Sequence, residues 1–167
     1  EAPCADFDDL SAGTEYNVGD TFTTQGYPVS LHEFFWLPSG STTEGVATVA
    51  ADNMAGGAAL DLNVNNINVA IDLFGGGELP CVTFLFGEYG GNLNLEVNGD
   101  FRNFENFADI DGATIGGCTV AVVNGLGNDM GAVTIVGAVA ELVIGGQELV
   151  IDDVCPCPPP AEGEGEG

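Results

Sequence analysis

Apolar and polar residues alternate with a period of two along most of this chain. In Leu60-Asp61-Leu62-Asn63-Val64, in Ile67-Asn68-Val69-Ala70-Ile71-Asp72-Leu73 and in Leu93-Asn94-Leu95-Glu96-Val97, every second residue is aliphatic and most of the others are polar. Successive side chains of a strand point to opposite faces, so this pattern predicts strands with one buried and one wet face. No window long enough for a helix carries a 3.6-residue apolar period free of glycine. The chain therefore reads as all-β, with at most one short helical turn near Phe104 to Ala108. Dipeptides that tolerate positive φ punctuate the strands: Asn98-Gly99, Asp111-Gly112, Asn124-Gly125 and Gly145-Gly146. The last of these predicts a tight hairpin joining Val139–Ile144 to Glu148–Val154. About eleven strands are expected between Asp6 and Val154, enough for an antiparallel β-sandwich of two packed sheets over residues 1–155.

Two segments break the alternation. Val82-Thr83-Phe84-Leu85-Phe86 and Val120-Ala121-Val122-Val123 are apolar on nearly both faces, which predicts central strands or outer faces covered by a loop or a neighbouring subunit. Residues 156–167 form a different material, an extended Pro-rich and Glu-Gly C-terminal tail. Prolines favour a stiff extended spacer, and Glu-Gly repeats offer no apolar side chains for a core. As a strand the repeat places every Glu on one face and every Gly on the other. The expectation is that Pro158, Pro159 and Pro160 project Glu162, Glu164 and Glu166 onto a neighbour's sheet edge, giving self-association into a homopolymer.

Charge narrows the function classes. Of 167 residues, 26 are Asp or Glu and one, Arg102, is basic apart from a single His, for a formal net charge of −25. Nucleic-acid binding needs Lys and Arg to displace counterions from phosphates, and this chain lacks them. Without Lys there is no Schiff base, and with His32 alone there is no paired-histidine zinc motif. No apolar run approaches the length of a membrane span. Five cysteines, Cys4, Cys81, Cys118, Cys155 and Cys157, read by default as disulfide-forming, which places the protein in an extracellular or cell-surface setting. The start at Glu1, without a basic and apolar leader, is read as that of a processed, exported chain. Cys81 and Cys118 each open an apolar strand and are expected to pair. Cys4 and Cys155 flank the first and last strands, so a bridge between them would clamp the termini for roughly 4 to 5 kcal/mol. Cys157 is then odd: it could replace Cys155, stay free, or bridge to another chain.

From Cys4-Ala5-Asp6-Phe7-Asp8-Asp9-Leu10, through Tyr16-Asn17-Val18-Gly19-Asp20-Thr21-Phe22, to Gly145-Gly146-Gln147-Glu148-Leu149-Val150-Ile151-Asp152-Asp153-Val154, the chain resembles exported bacterial jelly-roll β-sandwich modules of surface proteins, carbohydrate-binding modules and adhesins. The resemblance implies a jelly-roll-like sandwich and an extracellular setting, and some relatives of this type bind calcium or sugars. It implies no particular activity. The chain departs from the sugar-binding pattern in being poor in aromatics, with Trp36 its only Trp.

The most chemically loaded feature is the pair of acidic strand ends. If the first and last strands lie side by side, Asp8, Asp9, Asp152 and Asp153 converge into an oxygen-rich site suited to Ca²⁺. The competing reading turns these side chains to water or to turn capping. Asp109-Ile110-Asp111-Gly112 resembles a fragment of a calcium loop, but Phe107 stands where the first Asp belongs, so a plain turn is expected. His32 has no partner recognisable in the sequence, and no activated nucleophile is assembled, so no catalysis is expected. Phe34, Phe35, Trp36, Tyr16, Tyr27 and Tyr89 offer either a stacking face for polysaccharide or core packing, and consecutive aromatics in a strand serve opposite faces. The resulting expectation is a structural subunit of an extracellular assembly, with a carbohydrate-binding or adhesive module as the alternative. A flat exposed aromatic row including Trp36 would favour the second.

Overall fold

Strands and one turn of 3₁₀ helix account for the regular structure in the computed structural model, which describes residues 2–36 and 40–157. The predicted assembly residues Pro158, Pro159, Pro160, Glu162, Glu164 and Glu166 lie outside the described residues. In chain order the strands are β1 (Glu15–Asn17), β2 (Thr21–Thr24), β3 (Tyr27–Trp36), β4 (Gly40–Thr42), β5 (Val46–Ala50), β6 (Asp61–Asn65), β7 (Ile67–Ile71) and β8 (Leu79–Glu88). They continue as β9 (Leu93–Val97), β10 (Asp100–Phe104), β11 (Thr114–Ile115), β12 (Cys118–Val123), β13 (Asp129–Val139), β14 (Leu142–Gly146) and β15 (Leu149–Pro156). The first sheet runs β1-β5-β6-β15-β8-β13-β12-β11; the second runs β10-β9-β14-β7-β3-β2, with β4 added to the end of β3. Every pairing is antiparallel. This is the predicted two-sheet β-sandwich.

The alternation in the sequence builds the core directly. Leu62, Val64, Phe84, Phe86, Val133, Ile135 and Ile151 from the first sheet face Val29, Leu31, Val69, Ile71, Leu95 and Ile144 from the second in one apolar cluster. The helical turn lies at Phe107–Ile110, slightly beyond its predicted place. Its Phe107 ring plugs one end of the core, with centroids 4.4 Å from Phe86, 5.3 Å from Phe104 and 5.9 Å from Phe84. The buried Glu88 carboxylate anchors that turn by accepting the Phe107 N–H at 2.9 Å.

Three expectations are corrected. Gly145-Gly146 is not a hairpin turn: β14 belongs to the second sheet and β15 to the first, so the chain crosses between sheets there. Both glycines are strand residues required by close packing, because a Cβ at Gly145 would overlap the Asn68 side chain and one at Gly146 would press on Leu149. β8 is central, as expected, but β12 is next to the edge and turns Ala121 and Val123 outward to exposure.

The third correction concerns the disulfides. Cys4 pairs with Cys155 as expected, but Cys81 pairs with Cys157, not Cys118, which is a buried free thiol. β15 runs alongside β8 with Cys155 opposite Thr83 and Pro156 opposite Val82, and the Cys157 N–H donates to the Cys81 carbonyl at 2.9 Å. Cys118 is separated from Cys81 by the whole width of β13. Two strand spacings, about 9 to 10 Å, exceed the reach of a disulfide. The folded unit thus reaches Cys157, slightly past the predicted boundary.

Candidate functional site

A bulge in β15 assembles the acidic site. The pairing of β15 with β8 shifts register between Asp152 and Cys155, and Asp153 takes a φ of 48°. Val154 then turns to bridge Ala5, each N–H donating to the other's carbonyl at 2.8 and 3.0 Å. The segment around Ala5 thus meets β15 through an isolated bridge, not as a neighbouring strand, and Asp6 and Asp8 come within electrostatic range of Asp152 and Asp153. Asp9, predicted to join them, does not. Its carboxylate accepts the Thr24 hydroxyl at 2.7 Å and the Gln25 N–H at 2.9 Å. Burial alone would raise its pKa, but these hydrogen bonds hold it below the ordinary value.

The sequence reading missed the deepest part of the site. Asp61 and Asn63 sit on the outward face of β6, and the pairing of Leu62 with Ile151 places Asp61 across from Asp152. Outward positions are normally wet, yet Asp61 and Asp152 are each only 1% exposed, because the segment 51–60 lies over them. Its Met54 carbonyl accepts the Tyr89 hydroxyl, Leu60 donates its N–H to Asp8 Oδ1 at 2.8 Å, and Asp52 Oδ2 accepts the Asn63 amide at 3.2 Å. Two glycines permit this cover: a Cβ at Gly57 would overlap the Asp152 carboxylate, and one at Gly87 would overlap the Met54 carbonyl. The signal available in the sequence was the run Ala55-Gly56-Gly57-Ala58-Ala59, small enough to lie flat against a sheet.

Crowding sets the protonation of the cluster. Burial, then the side chain and charge of Asp52 and the charge of Asp152, push the Asp61 carboxyl up to about 8. Burial and the charges of Asp153, Asp8 and Asp6 push Asp152 up to about 7, against the Asp153 N–H that favours its ionised form. Asp153 is likewise raised by burial and by Asp6 and Asp8. Burial would also raise Asp52, but hydrogen bonds from Asp61, Met54 and Asn63 bring it below its ordinary value. Asp61 thus holds the proton and Asp52 the charge. No cation relieves the group: Arg102 is bound through two nitrogens to Asp100, each at 3.0 Å, and to the Thr114 carbonyl. Among the described residues no three Asp, Glu, His or Cys side chains are arranged to hold a metal ion.

A second feature is a groove of about 730 Å³ on the outside of the second sheet, bordered by Phe22, Ser30, Asp72, Phe74 and Glu141. Both carboxylates are occupied with holding turns: Asp72 accepts the N–H groups of Phe74 and Gly75, and Glu141 accepts that of Gly99. Glu141 also hydrogen-bonds Glu96, which with burial pushes Glu96 up to about 7. His32 has a partner the sequence reading did not find, Ser30 Oγ at 2.8 Å from Nε2. Among the described residues no carboxylate is bonded to the other ring nitrogen.

The aromatics are largely spent on structure. Trp36 is half-buried, stacked on buried Phe34 and covered by Gly40; Tyr16 stacks on Phe22 at 4.0 Å; Tyr27 donates to the Pro3 carbonyl at 2.7 Å. Phe35, 38% exposed, meets Phe101 edge-on. Asp109 and Asp111 cap backbone N–H groups at Asn106 and Val122, a plain turn as expected.

No family model and no curated protein matches this sequence. Among solved structures, the chain is similar to an exo-β-1,3-galactanase from Phanerochaete chrysosporium in complex with galactose, at 13% identity and a TM-score of 0.27, over 86% of this chain and 30% of that one. A variant of the same enzyme with β-1,3-galactotriose gives 14% identity and a TM-score of 0.26, over 85% and 29%. The chain thus spans less than a third of those proteins, and a likeness this weak carries no functional argument. Among the described residues no helix is long and apolar enough to cross a membrane.

Proposed function

We infer that the chain is an exported structural module, a subunit of an extracellular or cell-surface assembly joined through extended segments, and not an enzyme. The observation that carries this reading is the pair of bridges flanking Pro156: Cys155 to Cys4 and Cys157 to Cys81. Tension entering at Cys4 and leaving at Cys157 passes through one disulfide and the Pro156 linkage. It bypasses the β-sandwich, which hangs beside the path without bearing load. β15 itself lies between β6 and β8, so the exit is also tied to the middle of the first sheet. This arrangement suits a protein that must keep its fold while linked to neighbours.

Single-molecule pulling through the residues flanking these cysteines tests it. The oxidised chain should show no unfolding extension, and the reduced chain should extend by most of its contour length. Alongside, light scattering of the full chain and of a chain ending at Cys157 reports assembly. A full chain that stays strictly monomeric at high concentration, or an oxidised chain that unfolds under tension, overturns the reading. The groove with Phe22 and Phe74 is the feature that favours carbohydrate binding; retardation by a polysaccharide gel that is lost in Phe74→Ala would replace the structural reading with that one.

A further inference from the structure

Three acceptor oxygens on one face of β6 have no donor. Both carboxylate oxygens of Asp61 and the amide oxygen of Asn63 are buried without a hydrogen-bond partner of normal geometry. They stand two residues apart on the same side of the strand. Facing them are two more acceptors, Asp52 above and Asp152 beside, while the Asn63 amide nitrogen is already given to Asp52. Buried polar groups are normally satisfied, and each one left bare costs the full desolvation of that group. A collection of acceptors facing acceptors needs something positive between them, either the proton that Asp61 shares with Asp52 or a cation. The chain has no Lys, and its single Arg and single His are committed at Asp100 and Ser30.

We propose that the space beneath the 51–60 segment is a divalent-cation site of calcium type, with Asp61, Asn63 and Asp152 as side-chain ligands and Asp52 closing it from above. The donor set is all oxygen, the preference of a hard cation, and mixes carboxylates with an amide, as Ca²⁺ sites do. No three acidic side chains are pre-gathered there, so the Asn63 amide oxygen is a necessary member of the donor set. The site lies deeper than the predicted Asp8, Asp9, Asp152, Asp153 set: Asp9 is engaged at Thr24 and Gln25, and Asp6, Asp8 and Asp153 form an outer ring of negative charge. Occupation pins segment 51–60 and, through the Leu60 to Asp8 hydrogen bond, the N-terminal segment.

The test uses the full oxidised chain at pH 8, melted in EDTA and in excess CaCl₂ at matched ionic strength. At about a hundredfold excess over Kd, the melting temperature should rise by about 5 to 10 °C. The double variant Asp61→Asn/Asp152→Asn should lose that rise, while melting higher than the native chain in EDTA because two buried charges are gone. Terbium supplies a readout independent of stability. Tyr89, bonded to the Met54 carbonyl, should sensitise Tb³⁺ emission that Ca²⁺ competes away and that the double variant lacks. No rise with Ca²⁺, a rise that survives in the variant, or Tb³⁺ emission unchanged by the variant overturns the proposal.

Discussion

Replacing Asp61 by Asn isolates the proton that the fold holds in place of an ion. In the absence of divalent cations the Asp61 carboxyl has a pKa of about 8 against an ordinary 3.8, and Asp152 about 7. A carboxyl with a raised pKa binds more protons in the native than in the unfolded state, so stability falls as pH rises. The contribution is fully present below pH 4 and is lost progressively as pH climbs to the folded values of about 7 and 8. One such group gives a slope of about 1.4 kcal/mol per pH unit, and two give nearly twice that below pH 7. Between pH 5 and 7 the native chain in EDTA should lose about 3 to 5 kcal/mol, a large part of a domain's stability. The groups acting on Asp61 are Asp52 in the covering segment and Asp152 on β15, with Asp153, Asp6 and Asp8 acting on Asp152. The Asp61→Asn variant keeps the shape, offers Asp52 a permanent donor, and should cut the slope by about 1.4 kcal/mol per unit. From pH 5 to 8 its stability relative to the native chain should rise by about 4 kcal/mol, the same slope acting over three units. Urea unfolding at constant ionic strength from pH 5 to 8 measures this. Glu44→Gln is the control, removing the same charge from an exposed position. A native slope that is flat or rises with pH, or an Asp61→Asn variant that merely tracks Glu44→Gln, would refute the buried shared proton.

Non-reducing peptide mapping should recover Cys4–Cys155 and Cys81–Cys157, with Cys118 alkylated only after unfolding; for sequence separations of 151 and 76 the chain-entropy model gives about 5 and about 4.5 kcal/mol for the two bridges. A Cys81–Cys118 peptide would contradict the register of β15 on β8. Gly145→Ala should destabilise by about 1 to 3 kcal/mol in urea because its methyl overlaps Asn68 Oδ1 and the Ile67 carbonyl, and Gly145→Ala/Asn68→Ala should recover part of the loss. An unchanged midpoint for Gly145→Ala would show that the sheet opens there freely.

What was legible in the sequence is what a period of two can carry. Residues 60–64, 67–73 and 93–97 alternate and form β6, β7 and β9 close to the predicted bounds. Asn98-Gly99 is a hairpin turn, both residues at positive φ. Alternation says which face a residue takes, but not which sheet a strand joins. Gly145-Gly146 was misread for that reason: glycine permits a turn and also permits close approach, and only the position of Asn68 decides between them. The Cys81 partner was lost similarly, since pairing depends on β13 lying between β8 and β12. The acidic junction was half legible. The acidic runs at Asp6–Asp9 and Asp152–Asp153 suggested a convergence that the Ala5–Val154 bridge provides, whereas Asp61 reads as one more wet position unless segment 51–60 is known to cover it.

The use of carboxylates elsewhere explains why that one residue stands apart. A chain with 26 acids and one Arg cannot balance charge with ion pairs, and it uses backbone N–H groups instead. Asp8 accepts from Leu60, Asp20 from Asn17, Asp72 from Phe74, Glu88 from Phe107, Asp109 from Asn106, Asp111 from Val122, Asp129 from Leu126 and Glu141 from Gly99. Each of these closes or anchors a loop or turn, satisfying a donor that the sheets leave over, and a hydrogen bond to an ionised acceptor is about twice as strong as a neutral one. Eight of the 26 acids thus fasten connections between strands. Asp61 opens β6, a strand held between β5 and β15, and pairs with Ala50 of β5. Its neighbours are Asp52 and Met54 of the covering segment, and neither of its oxygens accepts a hydrogen bond of normal geometry. A buried carboxylate outside the system that employs the others has two remaining counter-charges, a proton or a metal ion, and pH 8 with and without calcium tells them apart.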